Sequence, residues 1–381
     1  MSQASSPVTP IADVESILAR VREPVMDALR AALRDVRDET RAAPASEALL
    51  DGFYGQIEYH LGWRNADLTW ARAHPGKLLR PALVLLAAEL AAGRAGKDVA
   101  GRAEAARLAL PAAACVELVH NFSLVHDDIE DGDAERRHRP TLWKLWGVPQ
   151  AINTGDGIFA LARTALLRLA DAGADAAVVV RLAALVDRTC LELCEGQYLD
   201  MRNEGRQDVT VAMYLDMIGR KTAALMACAT EMGARLGAPA LQDVAEHMAR
   251  FGRGLGLAFQ LRDDLLGIWA AEQLGKDTAG DIRRKKMSLP IIHAFETAAE
   301  DDREALRRIY AAPGAADEVQ IATVLGVLER TGARGRVRDA LRAQGREARE
   351  ALQAAAGDAP EAGEARDQLA ALLQFVTSAA E

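Results

Sequence analysis

Helical periodicity runs along nearly the whole chain and limits the folds it can adopt. No window shows the sustained alternation of apolar and polar residues that a half-buried strand requires, so we predict no strands. Apolar residues make up 50% of the chain and aromatic residues only 4%, and the many Ala and Leu residues favour helix. We therefore predict an all-α fold, a single large helical bundle around a central cavity.

No long linker and no repeat divides the chain, so we expect one domain. Residues 1–10 are polar and contain Ser and Pro, and we expect them to be disordered. Residues 11–381 would form a single helical domain, with its main motifs at 76–290 and further helices at about 300–380. The predicted helices are 11–41, 47–61, 68–73, 77–92, 102–131, 141–146, 149–171, 174–203, 210–218, 221–236, 239–269 and 290–299, with a charged loop at 271–287. We expect kinks or breaks at Pro24 and Pro111.

Composition and charge disfavour several classes of function. The net charge is -9 without a long basic block, so nucleic acid is a poor partner. Charged residues interrupt every apolar run before the roughly 18 residues that a membrane span needs. The four cysteines lie in apolar helical contexts without the paired spacing of a zinc site: Cys115, Cys190, Cys194 and Cys228. We interpret them as reduced core residues of a soluble, cytoplasmic protein.

An acidic cluster follows an apolar helical run. Asp127 and Asp131 are four residues apart and share one helix face, with Asp128 beside them. Most acidic runs are solvated surface, but the basic run from Arg136 to Arg139 follows this one closely. Crowded carboxylates beside basic residues indicate a site for divalent cations and a phosphorylated ligand.

A second acidic pair, Asp263 and Asp264, lies on another apolar helix. Gln260, Asp264 and Gly267 fall on one face of that helix. Two acidic helices that face each other across a cavity suit Mg²⁺, because this ion binds few carboxylates and completes its shell with water and substrate phosphates.

Together these motifs resemble those of the trans-isoprenyl diphosphate synthases, the polyprenyl synthetase family. The matching segments are Gly76 to Pro81 (GKxxRP), Asp127 to Asp131 (the first aspartate-rich motif, DDxxD), Arg136-Arg137, Lys221-Thr222, Phe259-Gln260 with Asp263-Asp264 (the second aspartate-rich motif), and Lys276 and Lys286. They cover about residues 76–290 in the order that the family has them. The pattern is most similar to that of a geranylgeranyl diphosphate synthase.

The resemblance implies a role for each matching residue. Three Mg²⁺ ions would be bound by Asp127, Asp131 and Asp263, with Asp128 and Asp264 in support, and these five acids with Lys221 form the catalytic set. The allylic diphosphate would be held by Arg136, Lys221, Thr222, Gln260, Lys276 and Lys286. Isopentenyl diphosphate would be held by Lys77, Arg80, His120 and Arg137.

The resemblance also implies the reaction and its product. The reaction would proceed by ionisation of the allylic diphosphate, condensation with isopentenyl diphosphate and elimination of a proton. Phe122 and Ser123 stand at the family's chain-length positions, five and four residues before Asp127. An aromatic residue followed by a small one resembles the C20 type, with C15 as the alternative. A homodimer is implied as well.

One departure from the family leaves other functions open. Gly267 stands where the second motif usually has a third Asp, and its loss removes a carboxylate from that cluster. Class I terpene cyclases share the fold, Mg²⁺ and the first motif, so a cyclase remains an alternative. A non-catalytic partner subunit of a heteromeric synthase is another.

Overall fold

A computed structural model describes residues 11–39, 43–71, 76–269 and 279–378, and the chain is all-α as predicted. The helices are α1 Ile11–Glu39, α2 Pro44–His60, α3 Leu79–Arg94, α4 Val99–Leu108, α5 Leu110–Glu130, α6 Leu142–Trp146, α7 Val148–Asp171, α8 Ala176–Asn203, α9 Val211–Ile218, α10 Ala224–Gly237, α11 Gln242–Trp269, α12 Gly280–Arg283, α13 Leu289–Thr297, α14 Glu300–Ala311, α15 Glu318–Arg330, α16 Ala333–Ala356 and α17 Gly363–Thr377. A π-helical turn, Gly219–Ala223, joins α9 to α10, and a 3₁₀ turn, Pro360–Ala362, precedes α17.

Two predictions fall outside the described residues. One is the expected disorder of residues 1–10. The other is Lys276, which belongs to the stretch 270–278.

The central helices pack closely because small residues face one another. At Gly233 in α10 an added Cβ would overlap the backbone oxygen of Val84 in α3, and at Gly237 it would overlap that of Ala88. Only glycine allows the two helices this approach. α11 packs against α10 on one side and α16 on another, while α5 packs against α7. The two acid-bearing helices, α5 and α11, thus belong to one packed bundle.

The prediction of no strands is wrong in one place. β1, Glu135–Arg136, pairs antiparallel with β2, Arg139–Pro140. Arg137 and His138 form the connecting turn with positive φ angles of 52° and 60°. Two-residue hairpin turns of this kind favour Asn and Gly, so the basic sequence carried no turn signature.

Several predicted helix boundaries also need correction. The predicted helix 68–73 is wrong over its described residues, which form turns and an isolated bridge between Arg64 and Trp70. The predicted helix 102–131 is two helices, α4 and α5, bent by 42° next to Pro111, which confirms the break expected at that residue. α11 begins at Gln242 and not at Pro239, α12 lies inside the predicted loop, and Pro24 does not interrupt α1.

Among the described residues no single helix has the length and apolar character needed to cross a membrane. The bent pair α4 and α5 meets that criterion only when the two are taken together.

Candidate active site

The first acidic motif lies at the C-terminal end of α5, where the β1–β2 hairpin folds back onto it. Arg136 Nε donates a 2.6 Å hydrogen bond to Asp128 Oδ1, and the Asp128 side chain is buried. Burial raises the pKa of Asp128 to about 6, and Arg136 opposes the shift. The hairpin thus gives Asp128 a fixed cationic partner and places Arg136 at the edge of the motif.

Asp127 and Asp131 share a second cation, Lys221. Burial raises the pKa of Asp127 to about 6, with a further rise from Asp131, while Lys221 lowers it. The pKa of Asp131 is also raised, first by loss of solvent, and again Lys221 acts against the shift. These two carboxylates are therefore difficult to ionise together without an additional cation.

Asp200 is a site residue that the sequence analysis missed. Lys221 Nζ lies 2.6 Å from Asp200 Oδ2. Burial lowers the pKa of Lys221, but Asp200, Asp127 and Asp131 outweigh burial and raise it. Asp200 lies in α8, and its acidic side chain on a helix close in sequence to Lys221-Thr222 was the available signal.

A π-helical turn presents Lys221 and Thr222 to the site. An added Cβ at Gly196 in α8 would overlap the backbone nitrogen of Lys221, so α8 approaches this turn as closely as glycine permits. Thr222 Oγ1 donates a 3.3 Å hydrogen bond to Gln260 Oε1 in α11. π-helical turns inside α-helices occur frequently at functional sites.

The second acidic motif contains two carboxylates in different surroundings. Asp264 is buried, and the Tyr214 hydroxyl lies 2.8 and 2.7 Å from its two oxygens. The backbone nitrogen of Leu289 donates to Asp264 Oδ2 at 3.2 Å. Burial raises the pKa of Asp264 to about 6, and these hydrogen bonds oppose the shift. Asp264 therefore ties α11 to α9 and α13.

Asp263 faces several cations. Loss of solvent raises the pKa of its carboxyl, while Arg262, Lys286 and Lys77 lower it. Lys286, a predicted diphosphate ligand, thus lies near both acids of the second motif. Lys77 connects this motif to the basic pocket described below.

Position 267 lacks the usual carboxylate, but a carboxylate from another helix occupies the space beside it. The side chain of Asp281, from α12, is buried there, and an added Cβ at position 267 would overlap its Oδ2. Asp281 also raises the pKa of Asp263. Sequence spacing gave no indication of this contact, because the two residues come from separate helices.

A basic pocket of about 540 Å³ lies next to the first motif. Its lining includes Lys77, Arg80, His120, Asp128, Arg136 and Arg137, so it brings together all four residues predicted to hold isopentenyl diphosphate. Burial, Arg80 and Arg137 hold the pKa of His120 well below its ordinary value, so the imidazole is neutral. Arg137 reaches the pocket from the hairpin turn, where its guanidinium packs against Gly76.

Two further polar side chains in this pocket were not predicted. His60, at the end of α2, is held neutral by burial and nearby arginines, which lower its pKa to about 3. Burial raises the pKa of Glu117 to about 7, while Arg80 and Asn121 act against the shift. These residues make the inner wall of the pocket polar but only partly charged.

The predicted chain-length residues lie one turn before the acids. Phe122 is buried, and its ring packs edge-to-face on Phe159 of α7, with centroids 4.8 Å apart. Its other aromatic neighbour is His126 at 5.9 Å. Ser123 Oγ donates a 2.9 Å hydrogen bond to the backbone oxygen of His120. An aromatic pair between α5 and α7 therefore lies beneath the first motif.

The donor set suits magnesium. Within the described ranges, no group of three or more His, Cys, Asp or Glu side chains is gathered closely enough to hold an ion by itself. Magnesium is commonly bound by one or two carboxylates, with water and substrate phosphate as the other ligands. Asp127, which is partly buried, and Asp131 repel each other, and such a cation would favour the ionisation of both.

Comparison with known proteins gives the same assignment as the motifs. The chain matches the family model described as Polyprenyl synthetase over residues 66–327. It is 42% identical over 284 residues to a geranylgeranyl diphosphate synthase of Mycobacterium tuberculosis, covering 74% of this chain and 76% of that protein. It is 44% identical over 237 residues to a (2E,6E)-farnesyl diphosphate synthase of the same species, covering 62% of this chain and 61% of that protein. The crystal structure of a polyprenyl synthetase from Streptomyces coelicolor A3(2) has a similar fold, with a TM-score of 0.79, 38% identity and coverage of 95% of this chain and 99% of that one.

The chain therefore belongs to the polyprenyl synthetase family. It is a prenyltransferase of isoprenoid biosynthesis, with the all-α fold of the isoprenyl diphosphate synthases and isoprenyl diphosphates as its substrates.

Proposed function

We propose that this protein condenses isopentenyl diphosphate with an allylic diphosphate to form a short all-trans prenyl diphosphate, geranylgeranyl diphosphate (C20), with three Mg²⁺ ions. The observation that carries the proposal is the basic pocket beside the first acidic motif. Asp128 belongs to the acidic motif, Arg136 lies at its edge, and both residues line the basic pocket. The pocket therefore adjoins the acidic motif. Two neighbouring sites for anions suit a reaction between two diphosphates.

The allylic diphosphate lies between the two acidic helices in this proposal. Lys221 and Lys286 offer point charges, Arg136 offers a fork of donors, and Thr222 and Gln260 offer neutral hydrogen bonds. Lys276 would complete the set. Asp127, Asp131 and Asp263 would hold the cations, while Asp128 and Asp264 would act through their contacts with Arg136 and Tyr214.

Ionisation of the allylic substrate depends on charge. Bound Mg²⁺ supplies Lewis-acid neutralisation of the diphosphate, which makes it a better leaving group. Lys221, kept protonated by Asp200, Asp127 and Asp131, adds a permanent positive charge at the same place. Because these groups are fixed before the substrate binds, they need little reorganisation as the negative charge develops.

The basic pocket aligns the second substrate. Lys77, Arg80 and Arg137 hold the diphosphate of isopentenyl diphosphate, and neutral His120 adds a hydrogen bond without a further charge. The double bond of the aligned substrate attacks the allylic cation while the packed site excludes water. The proton lost afterwards passes to the released diphosphate, so no protein base is required.

This pocket also weighs against the alternative functions. A cyclase ionises a single diphosphate and has no use for a second site with three cations. A non-catalytic subunit would be expected to lack motif acids, whereas this chain has five of the six. The space beside Gly267, which kept the cyclase alternative open, contains the Asp281 carboxylate.

Product length depends on the floor of an apolar tunnel below the first motif. Each added C5 unit gains roughly 4 kcal/mol on burial, at about 0.8 kcal/mol per methylene, so growth continues until a side chain blocks it. The ring pair of Phe122 and Phe159 supplies such a block. Similarity to both a C20 and a C15 synthase makes farnesyl diphosphate the alternative product.

One assay tests the proposal. The purified protein is incubated with Mg²⁺, isopentenyl diphosphate and either dimethylallyl, geranyl or farnesyl diphosphate, and products are identified by mass spectrometry. We expect geranylgeranyl diphosphate, and no product without metal. A hydrocarbon formed without isopentenyl diphosphate would indicate a cyclase, and no turnover of any primer would indicate a partner subunit. A product that stops at C15 would retain the reaction and correct the chain length.

A further inference from the structure

The ring of Phe375 contacts two cations near the basic pocket. Lys77 Nζ lies 5.6 Å from the ring centroid, and Arg262 Cζ lies 4.8 Å from it. Phe375 belongs to α17, the last helix, whereas Lys77 precedes α3 and Arg262 belongs to α11. One aromatic side chain therefore connects three segments that are far apart in sequence.

The close contact of the Lys77 ammonium is an aromatic ring, whereas Asp263 acts on it only from a longer distance. Among the described residues, no carboxylate lies within salt-bridge distance of its ammonium. An aromatic face attracts an ammonium through the negative face of its π-system and does not neutralise it. A carboxylate in the same position would compete with an incoming anion. The ring can therefore hold Lys77 in place and leave its full charge available.

Phe375 lies behind the pocket and not in its wall. Lys77 is among the residues that line the pocket, and Phe375 is absent from that lining. Arg262 directly precedes Asp263, so its contact with the ring also ties α17 to the second acidic motif. A lysine side chain with four rotatable bonds loses rotamer entropy when it is fixed. A neighbour that restricts Lys77 beforehand lowers this cost at binding.

We propose that Phe375 is a positioning residue for isopentenyl diphosphate, which directs the Lys77 ammonium into the basic pocket without touching the substrate itself. This inference rests on the proposed function of that pocket. It assigns to the C-terminal helix a part in the affinity for one of the two substrates only.

The test is a steady-state comparison of Phe375→Leu, Phe375→Tyr and the wild-type protein, with each substrate varied in turn. We expect Phe375→Leu to raise KM for isopentenyl diphosphate about fivefold, as the loss of one partly exposed cation–π contact predicts. The KM for the allylic substrate and kcat should change less than twofold. Phe375→Tyr retains the aromatic face and should behave as the wild type does.

Phe295→Leu is the matched control. Phe295 is buried, more fully than Phe375, and packs against another aromatic ring, Tyr310, in the smaller core around α13 to α15. No cation of the described residues contacts its ring. This variant should leave both KM values unchanged. An equal rise of the isopentenyl diphosphate KM in Phe295→Leu would overturn the inference, because general destabilisation would then explain the effect.

A double-mutant cycle asks whether Phe375 acts through Lys77. In a Lys77→Ala background, Phe375→Leu should cause no further rise in KM for isopentenyl diphosphate. Additive effects would contradict the proposed route. Calorimetric titration with isopentenyl diphosphate in the absence of metal should give the same ranking of the variants, independently of turnover.

Stepwise fluorination of the Phe375 ring covers the case in which Phe375→Leu does not fold. Fluorine weakens the negative face of the ring and changes its shape little, so KM for isopentenyl diphosphate should rise with each added fluorine. A flat response would overturn the inference while the wild type still elongates its primer. Failure of the wild type to use isopentenyl diphosphate at all would instead overturn the proposed function.

Discussion

At Asp127, the negative charge that the proposed function requires makes the folded protein less stable. Its pKa is about 6 against an ordinary value of 3.8, because the carboxyl is buried and Asp131 repels its charge. Ionisation therefore opposes folding. The unfavourable contribution is absent below pH 3.8, grows as the pH rises, and is complete above about pH 6.

Removal of this charge should stabilise the protein and abolish its activity. At pH 7.5 without metal, we expect Asp127→Asn to raise the free energy of unfolding by about 1–2 kcal/mol, since each pKa unit corresponds to about 1.4 kcal/mol and solvent screening at this partly buried carboxyl reduces the full effect. The gain should disappear near pH 3, where both states hold the proton. Urea unfolding at the two pH values measures it. Asp133→Asn, at a nearby exposed acid, is the control and should have no such effect. A destabilised Asp127→Asn at pH 7.5 would contradict this account.

A second prediction concerns Gly267, where restoring the residue usual in the family should be harmful. Restoring the usual acid with Gly267→Asp should reduce stability and activity, because the new Cβ would overlap the buried Asp281 carboxylate and bring a second charge beside it. Overpacking of this kind costs about 1–3 kcal/mol.

The same unfolding measurement tests this prediction, with kcat as a second readout. Gly280→Ala provides the control, because an added Cβ there meets nothing within 4 Å. If Gly267→Asp proves as stable and as active as the wild type, Asp281 does not occupy the position of the missing carboxylate.

At the scale of the element, α5 combines three tasks through its periodicity. Asp127 and Asp131 lie at its C-terminal end, His120 faces the basic pocket, and Phe122 packs against Phe159. Five residues of helix span about 7.5 Å, so the distance from the acids to the Phe122 ring is built into one rigid element. In the proposed function, this spacing along α5 sets the depth available to a growing chain.

Substitutions on α5 should change the product in opposite directions. Phe122→Ala removes a buried ring from the floor and should lengthen the main product by at least one C5 unit. Ser123→Phe adds a ring one position nearer the acids and should shorten it to C15 or less. Chromatography of the prenyl alcohols after phosphatase treatment measures both. An unchanged distribution of product lengths in Phe122→Ala would show that Phe122 does not limit the length of the chain.

At the scale of the whole molecule, α7 and α8 carry apolar side chains that the described part of the chain leaves exposed. On α8, Val180, Leu191 and Tyr198 are 69%, 65% and 67% exposed. Their spacings of 11 and 7 residues place them on one helix face. On α7, Leu167 is also more than half exposed. An apolar stripe of this kind suits burial against a second copy of the chain, in keeping with the expected homodimer.

A charge placed in this stripe should separate the dimer. We expect wild-type protein to have twice the chain mass of 40.9 kDa in size-exclusion chromatography with light scattering, and Leu191→Glu to be monomeric. Leu49→Glu is the control, since Leu49 is 78% exposed on α2, outside the stripe. A monomeric wild type, or a Leu191→Glu dimer, would contradict this assignment of the interface.

Local signals identified most helices and the acids at helical spacing, because these depend on residues a few positions apart. The bounds of α7 and α8 were predicted to within two residues at each end. The β1–β2 hairpin was missed, since its turn uses Arg137 and His138 in left-handed conformations without an Asn or Gly. The true turn at residues 61–71 was also missed, where Arg64 is held by Glu58 and stacks on Trp70.

The sequence by itself determined the helical class and, through its spaced motifs, the family and the groups that the site would need. Only the tertiary structure brought Asp200 to Lys221, the Asp281 carboxylate beside Gly267, and Phe375 to Lys77. The physical reason is one of range. Helix periodicity and motif spacing are encoded between neighbours in the chain, whereas these contacts join side chains from separate helices and exist only once the helices have packed.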